Sequence, residues 1–294
     1  MDGVINIFKN TGMTSFDVVR IIKKIANTKK VGHTGTLDPE ASGVLPVCIG
    51  KATKIIDYIM KCDKVYEVEF KLGIKTTTYD LEGDIIEELD PSSLTNENIL
   101  LAINSFIGEY NQIPPMYSAL KQNGVRLYEL ARQGIEVERE GRPIKIINIE
   151  DVKINNPYVS MKVTCSKGTY IRSLCYDIGN YLEVGAAMTK LKRTQTSKFT
   201  EEESINIKDI NSENIKDYII SIEDALDAYD KLVVINKYSK LLINGVRVFD
   251  RRFTKEDFKL EKLYRVYDED GVFIGLGRAN HQGFKIEKLL IKIV

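Results

Sequence analysis

The sequence of 294 residues contains no tryptophan, two histidines (His33 and His281) and seven prolines. With so little histidine, a multi-histidine metal site is not expected. The four cysteines, Cys48, Cys62, Cys165 and Cys175, are too few and too scattered for a disulfide framework or a CxxC zinc site. No apolar run approaches the roughly 18–20 residues of a membrane span. Met1-Asp2-Gly3-Val4 lacks the basic start and apolar stretch of a signal peptide. A soluble, cytoplasmic protein with no membrane association is the expectation. Lys+Arg and Asp+Glu both number 42, so there is no net charge with which to hold a polyanion in bulk.

What is present is an ordinary globular balance, 43% hydrophobic and 29% charged, in a length that allows one large domain or a large one plus a small one. The charge is unevenly spread. Arg20, Lys23, Lys24, Lys29 and Lys30 form a basic run without an acid, whereas residues 201–230 hold ten acids and two lysines. Local basic surfaces can bind phosphates while the total stays neutral. Val4 to Phe8 reads as a strand, and Thr14-x-x-Asp17 as a capping box opening a helix with Phe16, Val18, Val19, Ile21, Ile22 and Ile25 at helical spacing. A Gly-rich loop is expected from Val31 to Gly50. Tyr66, Val68, Phe70 and Leu72 alternate with charged residues as a half-buried strand, as do Val159, Met161, Val163 and Cys165 with polar ones. Ile171, Leu174, Cys175, Ile178, Tyr181 and Leu182 form a helical stripe. Residues 201–230 look like a boundary region with some helix, and short strands and turns follow Lys231.

Phosphate-loop, nucleophile-elbow and dinucleotide fingerprints all fail. Counting back from Gly50-Lys51, the required glycine position holds Leu45, and Ala52 stands where Ser or Thr is needed. No cofactor is expected, and side chains are left to do the chemistry. The densest segment is Gly32-His33-Thr34-Gly35-Thr36-Leu37-Asp38-Pro39-Glu40-Ala41-Ser42-Gly43. Pro39 pushes Asp38 out of helical geometry, which would present a carboxylate from a stiff loop; a turn aspartate bonding its own backbone is the plainer reading. Arg172 falls in the first turn of the helix near Tyr170, where a cation opposes the macrodipole. Such a placement points to an anionic partner, a carboxylate or a phosphate, although a solvated arginine is the plainer reading. Tyr66 reads as a core aromatic or as a ring at a pocket mouth.

These segments together resemble the catalytic segments of the bacterial tRNA pseudouridine-55 synthases, the TruB family. The resemblance runs from Lys9 with Gly12-Met13-Thr14-Ser15, through the Asp38 loop to Gly50-Lys51-Ala52-Thr53-Lys54. It continues with Lys64-Val65-Tyr66-Glu67-Val68, Thr76-Thr77-Thr78-Tyr79-Asp80-Leu81-Glu82-Gly83, Gln112 to Lys121, and Ser166-Lys167-Gly168-Thr169-Tyr170-Ile171-Arg172. Asn10 departs from it, standing where the family commonly has proline. The resemblance implies an α+β catalytic domain on a curved, mixed, mostly antiparallel sheet over residues 1–230, with an RNA-gripping insertion at about 114–142. A small β-rich PUA-like RNA-binding domain would span 231–294. It implies that Asp38 is the essential carboxylate and Arg172 the cation that keeps it charged and oriented. Tyr66 would stack on the target uracil, Tyr170 and Leu191 would line the base site, and His33 would fill the gap left by a flipped base. Lys9 and the basic faces near Lys23 and Arg193 would hold phosphates, and Asp80 would support the hydrogen bonding. The implied partner is tRNA, through its T-loop and stem, with no protein partner required. Other readings fit part of this pattern: a non-catalytic RNA-binding protein, a nucleoside or glycoside hydrolase using Asp38, or a guide-RNA-dependent synthase. Hydrolases usually need two carboxylates at a set separation, and nothing in the sequence brings Glu40 to the same bond.

Overall fold

The computed structural model describes residues 1–291. β1 (Gly3–Lys9) leads into α1 (Ser15–Ile25). The Thr14 side chain accepts from the Asp17 amide while the Asp17 carboxylate accepts from the Thr14 amide, so the expected capping box forms. Val18, Val19 and Ile22 face the core, whereas Phe16 and Ile21, expected beside them, are turned to solvent at the margin of that stripe. β2 (Val31–His33) and β3 (Ser42–Ile49) take up most of the segment expected to be loop, leaving residues 34–41 as the loop itself. The reason is burial on both faces: Val44, Leu45, Val47, Cys48 and Ile49 are fully buried, and such a strand reads as a continuous apolar run rather than an alternation.

α2 (Ile56–Met60) precedes β4 (Lys64–Leu72), in which the predicted alternation holds. β5 (Ile74–Thr76) and β6 (Ile85–Glu88) form a separate ribbon, followed by α3 (Asn96–Ser105) and β7 (Gly108–Gln112). A small excursion carries β8 (Lys121–Gln122), β9 (Val125–Arg126) and α4 (Leu127–Ala131). Then come β10 (Arg142–Asn155), β11 (Tyr158–Cys165), α5 (Ile171–Tyr181), β12 (Ala186–Thr196), β13 (Phe199–Thr200) and β14 (Ile205–Asn206). The main sheet runs β14-β1-β3-β12-β4-β11-β10-β7, antiparallel except where β1 meets β14 and β3 meets β12. One face packs against α1, α3 and α5 in a core that includes Ile22, Phe70, Ile103, Leu174 and Ile178.

The acidic stretch is ordered. Three short 3-10 turns (Ile207–Asp209, Ile215–Tyr218, Asp224–Leu226) bury Ile207, Ile215, Ala225 and Leu226, and their acids stay outside. Beyond it β15 (Lys231–Val234), α6 (Asn236–Ile243), β16 (Leu263–Asp268), β17 (Phe273–Asn280) and β18 (Gly283–Leu289) build a second sheet in the order β15-β16-β17-β18. It has its own core around Val266, Phe253 and Phe284. A second cluster joins both sheets: Leu263 and Leu276 pack with Val4, Cys48, Ile59 and Leu226.

Candidate active site

The loop bearing Asp38 is pinned on both sides of that residue. Before it, the Ser15 hydroxyl accepts from the Leu37 amide (2.8 Å) and is 3.0 Å from the Leu37 carbonyl, and Leu37 is itself buried. After it, the Pro39 carbonyl accepts from the Gly12 amide (3.0 Å) and from Lys9 Nζ (3.1 Å). The Ala41 amide closes a turn onto the Asp38 carbonyl. Gly43 has a positive φ of 108°, and a Cβ there would lie 2.2 Å from the Arg193 carbonyl oxygen, so only glycine lets β3 run this close beside β12.

Arg172 reaches this loop from the first turn of α5. Its Nε lies 3.0 Å from Asp38 Oδ2 and its Nη1 3.5 Å from Asp80 Oδ2. Nη1 also donates to the Thr78 carbonyl and Nη2 to the Tyr117 carbonyl. The anionic partner expected for a cation at this helix start is thus a pair of carboxylates. α5 has no side-chain N-cap of its own. Gln112 of β7 anchors the N-cap residue itself: its Oε1 accepts from the Tyr170 amide and its Nε2 donates to the Tyr170 carbonyl. Asp80 is held in turn by the Thr78 hydroxyl and the Glu82 amide on Oδ1. Its loop hangs from β12 through the Leu81–Met188 and Met188–Tyr79 backbone bonds.

The arginine side chain is 8% exposed but that of Asp38 is 38% exposed. Asp38 Oδ1 accepts no hydrogen bond among the described residues, so only Oδ2 is fixed, by Arg172. Tyr66 is almost fully buried, and burial pushes its phenol up, with Arg193 opposing and Asp38 reinforcing the shift. Tyr170 is likewise shifted up by burial and feels both Arg172 and Asp38. His33 is half-buried on β2, its Nδ1 accepting from the Gly35 amide, and burial beside Arg193 pushes its imidazole down toward the neutral form. Leu191 sits on β12 opposite Val68 of β4, packed at the edge of the main core.

Two expected phosphate contacts are placed otherwise. Lys9 is fully buried, and its ammonium donates to the carbonyls of Asn10, Met13 and Pro39 at 2.8–3.1 Å. Desolvation lowers its pKa to about 8. Arg193 is 1% exposed and donates to the carbonyls of Val44 (2.8 Å) and Gly35 (3.1 Å). Both are internal braces of the Asp38 loop, their buried charge hydrogen-bonded to backbone carbonyls. A basic residue in sequence gives no sign of which way it points. Asn10 pairs side chain to side chain with Asn206 of β14, which ties the two strand ends together. A groove of about 740 Å³ runs along β4, β11 and β12. It includes Leu191 and Glu40 but none of Asp38, Tyr66, Asp80 or Arg172, and it is edged by Lys190–Glu69 and Lys192–Glu67 ion pairs that satisfy one another.

Residues 23–171 match the TruB family pseudouridylate synthase (N terminal domain). The chain belongs to that family. Residues 172–232 match the tRNA pseudouridylate synthase B C-terminal domain, which in this fold covers α5, β12 and the acidic segment. Among relatives, the tRNA pseudouridine synthase B of Clostridium perfringens is 64% identical over 99% of this chain and 100% of its own, and that of Clostridium tetani is 58% identical over the same shares. Among solved structures, a Cbf5-Nop10-Gar1 complex contains a chain 29% identical with a TM-score of 0.74, covering 98% of this chain and 84% of that one. An H/ACA RNP bound to a substrate RNA containing 2′-deoxyuridine contains one 26% identical with a TM-score of 0.73, covering 99% and 85%. As a TruB family member the chain is an isomerase that converts uridine to pseudouridine in tRNA.

Proposed function

We propose that the chain acts on the uridine at position 55 of the tRNA T-loop, with Asp38 as the essential carboxylate. The observation that carries this reading is the pairing of Asp38 Oδ2 with the buried Arg172 on a side chain that remains 38% exposed. The reaction breaks the N-glycosidic bond, turns the base and joins C5 to the ribose C1′, after which the C5 proton leaves and the released N1 is protonated. Addition of Asp38 to C6, its addition to C1′, and abstraction of a sugar proton to give a glycal all start from an ionised Asp38. Arg172 serves any of them by holding that charge and its direction. Tyr66 forms the floor on which the uracil ring stacks, and its neutral phenol can assist removal of the C5 proton. Tyr170 and Leu191 line the sides.

A uridine inside a folded loop must leave the stack, at a cost of a few kcal/mol. The neutral His33 ring replaces it there. With Lys9 and Arg193 buried, phosphate contact falls to exposed cations such as Lys24, Lys29 and Lys30 beside α1. Residues 1–230 are the catalytic unit with an RNA-gripping insertion at about 114–142, and 231–294 a PUA-like RNA-binding unit. No protein partner is needed: the chain is 64% identical to a tRNA pseudouridine synthase B and under 30% identical to the chains of the Cbf5-Nop10-Gar1 and H/ACA RNP structures. The test is pseudouridine mapping by carbodiimide modification and primer extension on unmodified tRNA incubated with the purified chain alone. A single new stop one nucleotide 3′ of position 55, lost when that uridine is replaced by cytidine, is expected. Modification elsewhere, or none without an added protein or guide RNA, contradicts the reading.

A further inference from the structure

The residue before Asp80 has an unusual backbone. Tyr79 has a φ of 65°, in the left-handed region that favours glycine, and a bulky side chain there is an outlier. The other non-glycine positions with positive φ among the described residues are Asn, Asp, Ser or Glu. The Tyr79 backbone is held at both ends. Its amide closes a turn onto the Thr76 carbonyl (3.4 Å), and its carbonyl accepts from the Met188 amide of β12 (2.9 Å). The ring lies on that of Tyr176, with centroids 3.9 Å and planes 16° apart. Tyr176 is one turn beyond Arg172 on α5, so these two side chains share a face of the helix.

Three consecutive residues therefore meet that face. The Thr78 carbonyl and the Asp80 carboxylate lie 3.2 and 3.5 Å from Arg172 Nη1, and the Tyr79 ring covers Tyr176. In an extended chain neighbouring side chains point to opposite sides. The left-handed turn at Tyr79 brings its ring and Asp80 to one helix. Such a conformation costs free energy and persists only where the surroundings hold it. A glycine would adopt it freely but would bring no ring to stack. Burial pushes the Tyr79 phenol up, with Tyr176 reinforcing and Arg139 opposing the shift, so the ring stacks in its neutral form. We propose that Tyr79 is a positioning residue: its stack on Tyr176 sets the Asp80 carboxylate against Arg172, and so steadies the guanidinium that holds Asp38. It acts through Asp80 and not on the uridine. The proposal rests on Arg172 and Asp38 being the working pair.

Tyr79→Gly removes the ring yet accepts the left-handed backbone, which separates the stack from the strain. Tyr79→Phe keeps the stack, and Tyr176→Leu removes the partner ring instead. The readouts are single-turnover formation of pseudouridine, counted as the total in digested tRNA, and tRNA affinity. Tyr79→Gly and Tyr176→Leu should each slow the reaction by about tenfold or more and change affinity by less than about threefold. Tyr79→Phe should stay within about twofold of the parent in both. In an Asp80→Asn background, Tyr79→Gly should cost less than about twofold further, because residues that act through one another are not additive. A parent-like rate for Tyr79→Gly, or a rate for Tyr79→Phe as low as for Tyr79→Gly, would overturn the proposal. So would an equal loss of rate and affinity, which would make the ring an RNA contact, or an undiminished loss in the Asp80→Asn background. Because pseudouridine is counted at every position, modification away from position 55, or normal turnover by Asp38→Asn run alongside, would sink the functional reading and leave the Tyr79–Asp80 comparison standing.

Discussion

Arg172 is saturated. Its guanidinium faces two carboxylates and two backbone carbonyls drawn from the Asp38 loop, the Asp80 loop and the 114–142 excursion. A lysine has one compact charge and cannot reach these acceptors in a fork. Arg172→Lys is therefore expected to lower the single-turnover rate by about a hundredfold or more through misorientation of Asp38, while tRNA affinity changes less than about threefold. Measuring both separates the roles: an equal loss in rate and affinity would make Arg172 a phosphate contact instead. At this scale a proline after Asp38 and a cation at a helix start are each locally odd, but the residues alone left a turn aspartate and a solvated arginine as the plainer readings, and only the resemblance joined the two. Gln112 and Ser15 were not readable, since their importance lies in which backbone groups they meet across the fold. The buried orientation of Lys9 and Arg193 was unreadable for the same reason.

At the scale of elements, α5 carries a second strained group. Asp177 lies further along the helix than Arg172, and burial raises its carboxyl pKa from 3.8 to about 6 despite a bond from the Tyr110 hydroxyl. The folded state therefore keeps a proton that the unfolded chain releases between about pH 4 and 6, so this group's contribution to stability is lost as pH rises through 6. Asp177→Asn, which does not titrate, is expected to be more stable than the parent by about 2 kcal/mol at pH 7 and equal to it near pH 4. Urea unfolding at the two pH values checks this; a gain that is the same at both would rule out the ionisation of Asp177 as its source. The helices and alternating strands were readable because their periods are local. β3 was not, being apolar on both faces, and β12 was not, because its exposed Lys190, half-buried Lys192 and buried Arg193 hide the alternation. α6 escaped because its eight residues lie between strands in a segment read as wholly β.

At the scale of the molecule, the acidic segment is the joint between the two sheets. Leu276 and Leu263 of the second sheet share one buried cluster with Val4, Ile59 and Leu226, and Arg265 pairs with Asp227 at 2.8 Å and donates to the Tyr229 carbonyl. A run of acids in sequence suggested a solvated boundary; the apolar residues between those acids are what fold it down. Because the core is shared, calorimetry should record a single unfolding transition. Leu276→Ala should lower stability by about 2–5 kcal/mol while keeping that single transition. Two separate transitions in the parent protein would show that the sheets fold independently and that this contact is weak.

The central claim is that the Asp38 carboxylate starts uridine isomerisation at position 55. The most direct measurement is tritium release from tRNA transcript labelled at uridine C5, under single-turnover conditions, with Asp38→Asn and a position-55 cytidine transcript alongside. The Asp38→Asn substitution keeps the size of the side chain and removes its charge. The account predicts one equivalent of tritium released by the parent from the uridine-55 transcript. It predicts no release by Asp38→Asn despite tRNA binding within about threefold of the parent, and none from position 55 when it is cytidine. Release by Asp38→Asn at a rate near the parent's would contradict it.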